Sequence, residues 1–127
     1  MPPWPDDVRP ITAEGLSEAL CVQRIVGIHC WASWNGHDRV FAQQLSAIRE
    51  ATNNDIDLYM MDVEQPSNVS LILKWGILNV PAFVVIQQQR RLQTFYQANE
   101  SVVEFARRIL RWFESYLHQR STLVDRP

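Results

Sequence analysis

The chain has 127 residues, 46% of them hydrophobic and 20% charged, enough to bury a single core without disulfides or metals. A formal charge of −2 leaves no basic excess to neutralise phosphates, which argues against a nucleic-acid partner. No apolar run approaches the ~20 residues of a membrane span, and the acidic, Pro-rich start through Asp7 is not of signal-peptide type, so a cytoplasmic setting is expected.

Residues 1–10 read as an irregular arm, with Trp4 either a surface anchor or, as favoured here, packed back on the domain. Thr12 is the expected N-cap of a short helix over 13–20. The apolar run 24–31 predicts a strand buried on both faces. Residues 35–51 carry Val40, Phe41, Leu45 and Ile48 at helical spacing. A polar loop at 52–55 leads into a strand over 56–63 and a helix over 66–75, which Gly76 stops. A strand over 80–86 follows, beginning at a proline, and residues 91–96 are its expected antiparallel partner. The connection has no glycine, which disfavours a tight primed turn. A long helix over 100–118 places Phe105, Ile109, Phe113 and Tyr116 on one face, with Trp112 off that stripe as a candidate dimer or partner contact, or as packing for the arm. The arm at 1–10, one domain at 11–118 and a tail at 119–127 complete the expected organisation. Alternating elements closed by a hairpin and a helix predict an α/β sandwich around a mixed sheet.

Cys21 and Cys30 are the two cysteines. A strand between them would hold their ends roughly 20 Å apart, whereas a disulfide needs Cα atoms within about 7 Å. Strand alternation turns Cys30 into the core and His29 to the opposite face, so the two cannot form a nucleophile pair. A buried thiol is inert, with its pKa raised. Cys21, at a helix end, has no base beside it. No cluster has metal-ligand spacing and no cofactor is implied.

Two stretches carry a resemblance. Cys30-Trp31-Ala32-Ser33-Trp34-Asn35-Gly36-His37-Asp38-Arg39 resembles the thioredoxin active-site segment Trp-Ala-x-Trp-Cys-Gly-Pro-Cys-Lys. Lys74-Trp75-Gly76-Ile77-Leu78-Asn79-Val80-Pro81-Ala82-Phe83 is similar to the family's Lys-Tyr-Gly-Ile-x-x-Ile-Pro-Thr-Leu. The likeness spans residues 11–110. It implies a thioredoxin-like three-layer sandwich, a central mixed sheet flanked by helices, with a cis peptide bond at Pro81.

The chemistry that goes with that fold is missing. Disulfide exchange needs an attacking thiolate and a resolving thiol, and those positions hold Asn35 and Asp38. His29 replaces the family's buried acid, and Met60 replaces a lysine on the neighbouring strand. The residues suit a helix start: Asn35 as N-cap and Asp38 three positions on, a capping-box spacing. A direct partner contact is the competing role for both. His37 is a solvated surface group or a partner contact, and with no nucleophile or oxyanion site around it an acid–base role with Asp38 is set aside.

The resemblance places a peptide groove at Trp34, at Asn79, Val80 and Pro81, and at Tyr96 and Gln97, where strand-type pairing with Val80 needs no sulfur. Asn79 and Gln97 stand at positions often glycine in the family, which would narrow or reshape that groove. The expected function is a non-catalytic module binding a protein or peptide segment, such as an assembly factor or chaperone. The alternatives are a single-thiol oxidoreductase using Cys30 or Cys21, and a structural subunit or homodimer built on the C-terminal helix.

Overall fold

The computed structural model describes residues 4–20 and 23–124, with side chains through Gln119; Cys21, and any role expected of it, lies outside them. Strands β1 (Arg9–Pro10), β2 (Ile25–Trp31), β3 (Ile56–Asp62), β4 (Ala82–Gln87) and β5 (Arg90–Tyr96) form one sheet in the order β1-β3-β2-β4-β5. The pairs β1·β3 and β2·β3 are parallel, while β2·β4 and β4·β5 are antiparallel. Helices α2 (Gly36–Gln43), α3 (Leu45–Ala51) and α5 (Val102–Val124) cover one face, and α1 (Leu16–Ala19) and α4 (Pro66–Lys74) cover the other.

The period of two along the strands builds both cores. Ile25, Ile56, Leu58, Phe83 and Val85 meet Phe41, Leu45, Ile48, Phe105 and Ile109 on one face. Val26, Ile28, Cys30, Met61, Val84 and Ile86 meet Leu16 and Ile72 on the other. β2 is therefore buried on both faces, as its composition predicts. Gly27 leaves the slot that Phe83 fills, since a Cβ there would stand 2.4 Å from Phe83 Cζ.

Several local expectations are corrected. The end of the supposedly irregular arm is an edge strand, with Arg9 and Pro10 opposite Tyr59 and Met60, an edge position being one that proline tolerates. Thr12 caps a turn through Gly15 N–H rather than the helix, which shortens to four residues. The single helix expected over 35–51 is two, separated by a tightened turn in which Gln44 N–H donates to Phe41 O, so that both halves keep their apolar residues inward. The glycine-free hairpin does make a two-residue primed turn: Gln88 and Gln89 take φ of 53° and 64° between the paired Gln87 and Arg90. Strand register imposes this left-handed geometry at about 1 kcal/mol per non-glycine residue.

The Val80–Pro81 bond is cis, as the resemblance implies. α5 continues past residue 118 to Val124. Trp112 is partly buried; it stacks on Tyr116 at 4.9 Å and meets Phe95 edge-on at 5.7 Å. Among the described residues no helix is long and apolar enough to cross a membrane.

Candidate functional site

β2, the central strand, delivers the chain to one end of the sheet at Trp31, and a turn closed by Asn35 N–H to Ala32 O leads into α2. Asn35 is the N-cap expected from its residue type: its Oδ1 accepts from His37 N–H at 2.9 Å. Its other end does something the cap reading does not require. Nδ2 donates to Val80 O at 2.8 Å, tying the helix start to the residue before the cis proline.

Asp38 departs from the capping-box expectation. Its carboxylate is buried, with Oδ2 accepting from Ala32 N–H at 3.0 Å and Oδ1 lying 2.8 Å from His29 Nε2. The inward face of the helix's first turn points Asp38 at β2, where the only polar side chain is His29, so the carboxylate bonds there instead of reaching back to the Asn35 N–H. Trp4 Nε1–H donates to His29 Nδ1 at 3.0 Å, which makes Nδ1 the lone-pair nitrogen and puts the ring proton on Nε2, donated to Asp38. Burial pulls the His29 pKa down, opposed by the hydrogen bond and charge of Asp38. A neutral imidazole between an indole donor and a carboxylate acceptor is fully satisfied. Trp4 thus packs back on the domain, its ring also meeting Trp31 edge-on at 4.7 Å.

Cys30, on the opposite face of β2, is buried, and its pKa is pushed up to about 12 by burial first and the Asp38 charge second. That thiol is protonated at any physiological pH. It has no path to a substrate.

The expected groove residues separate into three places. His37 Nδ1 donates to Gln97 Oε1 at 2.9 Å, and Gln97 Nε2 donates to Glu100 O at 2.9 Å, so the two side chains bridge the start of α2 to the loop before α5. Glu100 is anchored in turn by Arg108 at 2.8 Å, which together with the Ala98 N–H holds its carboxyl below the usual range. Tyr96 turns to the other face and donates its hydroxyl to Gly76 O, lining a recess with Trp75 and Arg91 rather than the groove. Pro81 is buried.

Trp34, Asn79 and Val80 do come together, around an open groove of about 450 Å³ whose far wall is α4. Sequence reasoning missed that wall. Trp34 is 70% exposed, Leu73 69% and Leu78 84%, with Val69 also outside the core, and all four line this one groove. A signal was available: α4 carries Val69, Leu71, Ile72 and Leu73 within five positions, more apolar surface than one buried stripe can take. The Val80 N–H, at the groove's floor, has no hydrogen-bond partner among the described residues.

Comparison with known proteins gives a consistent picture of the scaffold. The thioredoxin family model matches residues 7–108. Among solved structures, a designed protein aligns with TM-score 0.62 at 19% identity, covering 97% of this chain and 96% of its own. Thioredoxin f from spinach chloroplast (short form) aligns with TM-score 0.62 at 17% identity over 69% of this chain and 79% of that one. Chlamydomonas reinhardtii thioredoxin f2 gives 0.60 at 15%, over 68% and 81%. At these identities the likeness speaks for the fold alone. A comparison with curated proteins gives no match.

Proposed function

The chain belongs to the thioredoxin family, and from that premise we propose that it works as a non-catalytic protein-binding module, an assembly factor or chaperone that holds an extended apolar segment of another protein. The observation that carries this reading is the exposed apolar set Trp34, Leu73 and Leu78 gathered around one groove beside Val80. Exposed aromatic and aliphatic side chains clustered in a concave surface are what a peptide anchor needs. The Val80 N–H supports a strand-like contact in which the bound segment supplies a carbonyl, since the Val80 carbonyl is already engaged by Asn35. The single-thiol alternative through Cys30 is disfavoured because that residue is buried and held as a thiol. A dimer through α5 is disfavoured at Trp112, whose ring is engaged by Phe95 and Tyr116. A cytoplasmic setting goes with this reading, and the buried free thiol of Cys30 fits a reducing compartment.

Insulin reduction and partner capture test the two halves. The expected result is no turnover above the dithiothreitol background, and a captured partner that is released by Trp34→Ala or Leu78→Asp but retained by Trp112→Ala. Turnover that Cys30→Ser abolishes would sink the non-catalytic claim. Release by Trp112→Ala alone would move the interface to α5.

A further inference from the structure

The N-terminal segment, which the groove does not use, sits on the His29–Asp38 pair in a way that depends on one lone pair. Trp4 forms one wall of a recess of about 190 Å³ lined also by Trp31, Ala32, Ser33, Asp38 and Arg39, and among the described residues its polar bond is Nε1–H to His29 Nδ1. A proton on Nδ1 would set two N–H groups against each other at 3.0 Å. We infer that Trp4 is a proton-released latch: uptake of a proton at His29 Nδ1 breaks its bond to the indole and frees Trp4 to swing away from the ring, widening the recess it borders.

The surroundings favour that exchange. The imidazolium that results keeps its Nε2–H bond to Asp38 and gains the charge of that carboxylate, 2.8 Å away. Among the described residues, the other groups facing the ring are uncharged: Phe41 from α2, Met60 from β3 and Phe83 from β4. Arg39 stands at the wall of the recess, and Nδ1–H can be satisfied only by water entering where Trp4 was. Among the described residues, the motion is confined to those from Trp4 to Asp6. From there on the chain is tied down by Asp7–Arg49 at 2.8 Å, by the buried Val8 and by the pairing of β1.

The sign follows from the linkage. Trp4 in place opposes protonation, and burial lowers the His29 pKa below the ordinary 6.5, so release falls below about pH 6.5 in the parent chain. Folding stability falls over the same window, because the unfolded chain binds the proton first.

The test is an NMR titration of the parent protein that follows the His29 ring nitrogens and the Trp4 indole N–H, identified by its disappearance in Trp4→Phe. The expected result is one shared transition in which His29 gains a proton as the indole signal moves to a solvent-exposed position. Trp4→Phe keeps a ring but removes the donor, and His29 should then titrate higher by about half a pH unit or more, a roughly threefold gain in proton affinity. An indole signal that stays fixed while His29 titrates overturns the proposal. So does a His29 that remains neutral until the whole fold unfolds, or one whose titration Trp4→Phe leaves unmoved.

Discussion

On one side of the turn that follows β2, the polar side chains are spent within the chain; on the other, the apolar ones stand exposed among the described residues. Asn35, His37 and Asp38 occupy the loop where the family carries its thiols and proline, and each is bonded inward or across: to Val80, to Gln97, and to His29 with Ala32 N–H. Trp34, Leu73 and Leu78 line the other side and are largely exposed. The difference is instructive because Trp34 and Asn35, adjacent in one short connection, fall on opposite sides of it. Side chains at the positions of the family's thiols and proline hold the scaffold, while the apolar surface beside them is exposed.

The comparison can be broken most sharply at Asp38. Asp38→Ala leaves the Ala32 N–H and the His29 Nε2–H without an acceptor in the core, and should cost roughly 2–4 kcal/mol in urea unfolding. A loss below about 1 kcal/mol would mean the buried pair is not a structural element. Asn35→Ala removes the cap and the tie to Val80, and a loss of about 1–2 kcal/mol is expected by the same measurement. On the open side the effect should nearly vanish. Leu78→Ser is expected to change stability by no more than about 0.5 kcal/mol, because an 84% exposed leucine has little burial to lose. If it destabilises by well over 1 kcal/mol, the groove is covered by the chain itself and the contrast fails.

Much of this was legible before any coordinates. Alternation along 25–31 separates Cys30 from His29, and the residue type of Asn35 marks the helix start. The paired Trp-Ala-x-Trp and Val-Pro stretches carry the fold and its cis bond. The His29–Asp38 bond was not legible, since the two lie nine positions apart on different elements and each has a sufficient local explanation, core histidine and helix cap. The hairpin was misread for a related reason. Local preference disfavours positive φ at Gln88 and Gln89, but the ladder between β4 and β5 outweighs two residues' reluctance. The wall formed by Leu73 and Leu78 was missed because apolar residues in a helix and the loop after it ordinarily go inside.

By itself, then, the order of residues determined the main strands and helices, the two-faced core and the absence of thiols at Asn35 and Asp38. These depend on periodicity and residue type, which are local properties of the chain. Only the tertiary structure decided what the replacements do. Whether Asp38 caps a helix or binds a histidine, and whether Gln97 lines a groove or bridges to His37, depends on which side chains from distant elements arrive within 3 Å. Hydrogen bonds are short-ranged and directional, and one sequence position offers several partners until the fold selects among them.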